Sequence, residues 1–228
     1  MPRTLSEGFQ VFLTKLTPSS FETNAAKTHR KSIESCLKTN FSMNRFFRTG
    51  SFGNGTSISG FSDVDYFAEI PSSVLKDNSI YTLRIVKDAL ATKFPNTGVR
   101  VSTPTVLVPF GTDKKEWTEV TPCDHITTIH DFKIYDIPNG NGGWLKSCPD
   151  AHNSYVRSID QKHNGKVKAL IRFVKAWKYY NNVPISSFYL ELKIAKFCKD
   201  ESSIIYQYDI NPYYPIYYQV NYLKCKIL

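Results

Sequence analysis

The stretch GSFGNGTSISGFSDVDYFAEI, residues 50–70, decides the fold. Four glycines crowd residues 50–60, and Asp63 and Asp65 follow with one residue between them. Residues 64–70 are mostly apolar and read as a strand. On a strand, Asp63 and Asp65 share one face, on the order of 7 Å apart at their Cα atoms. Val64, Tyr66, Ala68 and Ile70 take the other face and can pack a core. Two like charges side by side are stable only with something positive between them, and Mg2+ prefers carboxylates together with substrate phosphates. The loop ahead of them, with Gly50, Ser51, Gly53, Gly55 and Thr56, lacks bulk and can turn N–H groups and hydroxyls toward an anion. Loop and carboxylates together predict a nucleotide–Mg2+ site. It is not a P-loop, because the G-x-x-x-x-G-K-[ST] pattern is absent.

Working outward, residues 19–39 read as a helix opened by a Ser19/Glu22 capping box. A second helix is expected over 80–94, ending before Pro95. Strands are expected over 99–102, 106–110 and 116–121, the last stopped by Pro122. Residues 123–150 read as largely irregular, with NGNGG as a loop. Helices follow over 166–180, with a stripe of Val167, Leu170, Ile171, Val174 and Trp177, and over 186–199. The final NPYYPIYYQVNYLKCKIL is tyrosine-rich and has no clear period. This order predicts an α+β fold with a helical end. The carboxylate pair calls for a third carboxylate on a neighbouring strand, and Glu119 in WTEVTP is the candidate. It shares a strand face with Trp117, and Val120 points to the core side.

The bulk numbers agree with a folded chain. Of 228 residues, 41% are hydrophobic and 14% aromatic, enough for one large domain or two small ones. The net charge of +9 suits a polyanionic partner. The N-terminus has no apolar core of a signal peptide, and no run approaches the roughly 18 apolar residues of a membrane span, so a cytoplasmic protein that does not enter a membrane is expected. Cys36, Cys123, Cys148, Cys198 and Cys225 form no CxxC pair and read as reduced thiols. The five histidines are dispersed and show no metal-ligand spacing, and Trp144 and Trp177 read as core.

Gly50-Ser51, Gly55-Thr56 and Asp63-Val64-Asp65 resemble the signature of the DNA-polymerase-beta-like nucleotidyltransferases. The wording GSFGNGTSISGFSDVD is especially similar to the bacterial cyclic GMP–AMP synthase/DncV-like nucleotidyltransferases (CD-NTases) of anti-phage signalling. Glu119-Val-Thr-Pro122, WLKSCPDAH and ALIRFVKAW extend the resemblance over roughly residues 5–200. It implies a polymerase-beta-like core, a mixed twisted sheet flanked by helices, over residues 1–145, and a helical portion over 146–228, short or divergent at its end. It implies two Mg2+ (or Mn2+) ions bound by Asp63, Asp65 and Glu119, NTP substrates (ATP, GTP or others), and attack of a 2′- or 3′-hydroxyl on an α-phosphate. Most relatives carry Asp at the third position, so Glu119 is one methylene longer. Gly50, Ser51 and Thr56 would serve the triphosphate. A protein or nucleic-acid activator, and an effector reached through the product, are the partners implied.

Lys168, Arg172 and Lys175 fall on one edge of the 166–180 helix, which by itself a solvated face explains. By resemblance, Lys175 and Ser187 match triphosphate contacts, and Phe188 matches an aromatic that stacks on a base. The competing readings are another transferase on the same fold, acting on an antibiotic, a protein or an RNA end, and a catalytically silent nucleotide- or RNA-binding module.

Overall fold

The computed structural model describes residues 4–111, 113 and 116–201. By contacts the chain divides into two compact units. Among the described residues, one takes 19–53 and 62–151; the other takes 4–18, 54–61 and 152–201.

The first unit is built on a mixed sheet. Its strands are β1 (Arg45–Arg48), β2 (Val64–Glu69), β3 (Arg100–Ser102), β4 (Thr105–Phe110), β5 (Glu116–Ile129), β6 (Phe132–Pro138) and β7 (Trp144–Ser147). The main path runs β1-β2-β5-β4-β3, with β6 on β5 and β7 on β6. β2 and β5 are parallel, and the other pairs are antiparallel. Two helices, α2 (Ser20–Phe41) and α4 (Ser79–Lys93), cover one face. The α2 start forms as its sequence dictates: Ser19 accepts from the Glu22 N–H, and the Glu22 carboxylate accepts from the Ser19 N–H at 2.7 Å. Ile33 and Leu37 of α2 and Leu83, Val86 and Leu90 of α4 bury completely against Tyr66, Val106, Val108 and Val120. Val64, Tyr66 and Ala68 of β2 and Val120 of β5 thus face the core. Asp65 and Glu119, which alternate with these residues along the strands, face away from it.

Two strand expectations are corrected. β5 does not stop at Pro122 but runs on to Ile129, with Pro122 paired to Ala68. The Cys123 carbonyl accepts from the Ile70 N–H, so its neighbour Pro122 turns its nitrogen away from β2. On that side the β4 register has ended at Val106↔Val120, so the missing proline N–H interrupts no ladder. Residues 123–150 are not irregular, since they hold the rest of β5, then β6 and β7. The β5–β6 turn is His130-Asp131, with φ of 47° and 67°. Both lie in the left-handed region that a two-residue hairpin turn requires. NGNGG is the β6–β7 loop, closed by the Asn139 side-chain carbonyl, which accepts from the N–H groups of Asn141 and Gly143. Trp144 is only partly buried, and its indole N–H donates to the Asp77 carbonyl.

The second unit is helical: α1 (Leu5–Leu16), most of α5 (Pro149–Lys162), α6 (Lys166–Tyr180) and α7 (Ser187–Lys199). α1, unforeseen from the sequence, opens with its own capping box, Thr4 and Glu7. Val156, Val167, Ile171, Leu190 and Ile194 form the core of α5, α6 and α7. A second cluster gathers Leu16, Ile58 and Ala176, backed by Phe12 and Phe173. Trp177 is half-buried rather than core. Among the described residues no helix is long and apolar enough to cross a membrane, and Cys36, Cys123, Cys148 and Cys198 are free thiols. The tyrosine-rich C-terminal stretch and Cys225 lie outside the described residues.

Candidate active site

In the sheet unit, parallel pairing of β2 with β5 sets Asp65 directly beside Glu119. Asp63 stands one residue before β2, next to the same end of β5. Burial raises the Asp63 pKa. Glu119 is also raised, first by burial and then by the charge of Asp63, while a hydrogen bond with Thr105 works the other way. Asp65 and Glu119 thus stand side by side in register, and Asp63 and Glu119 feel each other's charge. That coupling is what neighbouring like charges produce, and a cation between them relieves it.

Gly50 explains the glycine ahead of the pair. Its φ is +56°, and a Cβ built there would lie 1.9 Å from the Asp65 carboxylate oxygen Oδ2 and 2.6 Å from its Cγ. No side chain fits that space. The Thr49 N–H, meanwhile, donates to the Asp65 carbonyl at 2.9 Å. Residues 49 and 50 thus lie along Asp65, backbone to backbone and backbone to carboxylate. Gly50 and Ser51 do not sit in an open loop, as expected from the glycine content, but begin a short helix, α3 (Gly50–Asn54). Phe52 packs on the main core and holds that turn in place.

Residues 54–61 of the same stretch belong to the helical unit, which centres on a residue that sequence reading did not single out. Glu191 of α7 is 3% exposed and is the hub of a buried polar cluster. It accepts from the Asn54 amide (2.8 Å), the Thr56 hydroxyl, His152 Nε2 (3.0 Å) and the Lys175 ammonium (3.1 Å). Lys175 is fully buried and also donates to the Thr56 carbonyl. Arg172 reaches the carbonyls of Gly55 and Ser57. The basic edge of α6 is therefore not a solvated face: Arg172 and Lys175 bind the backbone of residues 55–57. Thr56 and Lys175, expected at a triphosphate, both contribute to this cluster. The signal for Glu191 was present in the sequence: positions 191, 194 and 198 fall on one helical stripe, and a carboxylate on such a stripe is buried only when paired.

Ser187 and Phe188 stand at the start of α7. The Ser187 hydroxyl accepts from the Lys178 ammonium at 2.9 Å. The Phe188 ring is 60% exposed and stacks on His152 with centroids 4.7 Å apart. Among the described residues no three His, Cys, Asp or Glu side chains converge closely enough to enclose a metal by themselves.

Burial alone would raise the Glu191 pKa, yet the hydrogen bond from His152, the Lys175 charge and the bonds from Thr56 and Asn54 outweigh it and bring it down to about 2. A folded-state value below the unfolded one stabilises the fold above the unfolded value of 4.5, and that contribution is lost as pH falls toward about 2. On the order of 3 kcal/mol is involved. Thermal unfolding of the wild type and of Glu191→Gln, followed from pH 6 to pH 2.5, should show a gap that narrows steadily below about pH 4.5. A gap independent of pH would mean that Glu191 is not held ionised.

A family model described as the Second Messenger Oligonucleotide or Dinucleotide Synthetase domain matches residues 3–159. The fold is similar to that of CdnC from Escherichia coli MS115-1, solved with ATP. The TM-score is 0.66 at 20% identity, over 84% of this chain and 65% of that one, so the chain spans just under two thirds of CdnC. CdnC has also been solved as a complex with HORMA-deltaN. The fold is likewise similar to Escherichia coli DncV in its 3′-deoxy GTP bound form, with a TM-score of 0.66 at 17% identity over 84% of this chain and 71% of that one. A probable cyclic nucleotide synthase of Bacillus cereus (strain VD146) is 39% identical over 57 residues, 25% of this chain and 17% of that protein.

Proposed function

Because the chain belongs to the Second Messenger Oligonucleotide or Dinucleotide Synthetase family, we propose that it is a Mg2+-dependent nucleotidyltransferase that makes a cyclic di- or oligonucleotide from NTPs, as a messenger in bacterial anti-phage (CBASS-type) signalling. The observation that carries this reading is the Asp65↔Glu119 register with Asp63 beside it, backed by a glycine that leaves room for the Asp65 carboxylate.

Asp63 and Asp65, with Glu119, would hold the metal ions. The donor set fits: it is all oxygen, Asp65 and Glu119 are register neighbours, and Mg2+ completes its shell with substrate phosphates rather than needing a closed protein cage. Bound there, the ions would neutralise the charge of the triphosphate and acidify the attacking hydroxyl. In the reaction, a ribose hydroxyl oxygen bonds to the α-phosphorus, the bond from that phosphorus to the β-phosphate bridging oxygen breaks, and pyrophosphate leaves. Glu119, beside Asp65 in register, would receive the hydroxyl proton. Ser51, at the start of α3, offers its hydroxyl to the triphosphate. In the helical unit, Ser187 with Lys178 and the exposed Phe188 ring offer a hydroxyl, an ammonium and an aromatic face to a nucleotide. Thr56 and Lys175 act there through the Glu191 cluster, by fixing residues 54–57. A protein activator is proposed by analogy with the CdnC:HORMA-deltaN complex.

The test is direct. The protein is incubated with all four NTPs and Mg2+ or Mn2+, digested with phosphatase, and examined by mass spectrometry for a resistant cyclic product. The expected product disappears in the Asp63→Ala/Asp65→Ala variant. Label transferred instead to an added RNA, protein or aminoglycoside would replace this reading with another transferase. Nucleotide binding with no transfer, under any metal or candidate activator, would replace it with a silent binding module.

A further inference from the structure

One aromatic side chain on the carboxylate face is not used by the reaction above. Trp117 lies two residues before Glu119 on β5, on the same strand face. Val64↔Thr118 and Asp65↔Glu119 fix the register, so Trp117 stands across from the position of Asp63. On the other side its partner is Pro109 of β4. β5 is an interior strand, between β2 and β4 from the next residue on. Thr118 and Val120, which point the other way, are essentially buried, yet the Trp117 side chain is 42% exposed. A large apolar ring is thus held on a rigid strand, 42% exposed, two positions along from Glu119. Two positions along a strand are on the order of 7 Å apart. That is the scale on which a nucleobase stands off from the hydroxyls of its own ribose.

We propose that Trp117 is a stacking platform for a substrate nucleobase, seating the base while Glu119 and the aspartates handle the hydroxyl and phosphates. This rests on the nucleotidyltransferase reading. An indole face suits any base, because stacking is sequence-tolerant. Trp117 therefore contributes affinity and placement, and leaves base selection to hydrogen-bonding groups.

Purine NTPs (ATP, GTP) and the base-free ribose 5-triphosphate are titrated with Mg2+ into the full chain, with affinity read by calorimetry and tryptophan emission read in parallel. The wild type is expected to bind both kinds of ligand, with emission quenched by the purine NTPs alone. Trp117→Ala is expected to weaken purine NTP binding about tenfold or more while leaving ribose triphosphate binding unchanged. Trp117→Phe is expected to keep most of the purine affinity and lose the quench, since Trp144 and Trp177 remain as emitters. A merely structural role would shift both ligands together, or lower the melting temperature. Equal purine affinity in wild type and Trp117→Ala overturns the assignment and leaves the functional reading intact. Failure of the wild type to bind any nucleotide overturns both.

Discussion

Gly50→Ala is expected to abolish nucleotidyl transfer almost as completely as Asp65→Asn, although it alters no reactive group. The added Cβ would fall 1.9 Å from Asp65 Oδ2, and the φ of +56° is one that L side chains rarely adopt. Relief requires the Asp65 carboxylate to swing away from its place beside Glu119, or the turn at 49–50 to shift, breaking the Thr49–Asp65 backbone contact. Metal-assisted charge stabilisation is worth several kcal/mol, so losing its geometry costs about 10^3-fold in rate. The check is product formation per folded protein, with circular dichroism to confirm the fold. A thermodynamic control isolates the cause. In an Asp65→Ala background, Gly50→Ala should destabilise less than it does alone, because the two nearest colliding atoms are gone. Activity of Gly50→Ala within tenfold of wild type would show that the position of Asp65 does not limit the reaction.

The second large effect is on stability. Lys175→Met leaves Glu191 buried without its lysine partner, and breaking a buried pair in this way costs about 3–5 kcal/mol. For a chain of this size that is a fall on the order of 10 °C in melting temperature. The double variant Lys175→Met/Glu191→Gln removes both charges and should recover much of the loss. This experiment also separates two roles for Lys175. If the single variant melts like wild type but loses affinity for NTPs, the ammonium acts at the triphosphate. If it melts early and the double variant recovers, its role is to hold residues 54–57 through the Glu191 cluster.

Several features of the fold could be read in advance because their determinants are local. The Ser19/Glu22 capping box starts α2. The 3.6-residue stripe from Val167 to Trp177 marks α6, whose bounds match the expectation. Alternation along residues 64–70 separates carboxylate face from core face. Glu119 could be paired with Asp65 only by assuming that their strands are neighbours, which β2–β5 pairing confirms. Other features depended on tertiary context. Pro122 looks like a strand stop until the adjacent ladder is seen to end before it. His130-Asp131 lacks the glycine that usually announces a two-residue hairpin turn, yet adopts its backbone. Glu191 reads as an ordinary helix-surface charge unless its position on the apolar stripe is weighed, and its four donors come from positions 54, 56, 152 and 175.

The glycine-rich stretch looks like one motif, but its residues group by contact into residues 50–53, which go with the sheet, and 54–61, which go with the helices. This has a consequence for genetics. In a saturation scan scored separately for cellular abundance and for product, the stretch should break at that point. Substitutions at Gly50 and Ser51 should yield protein at normal levels with no product. Substitutions at Asn54, Thr56 and Ile58, all nearly or fully buried, should deplete the protein itself. Natural variants falling only a few residues apart would then produce the same loss of function by two unrelated routes, and only those of the second kind would be rescued by growth at lower temperature.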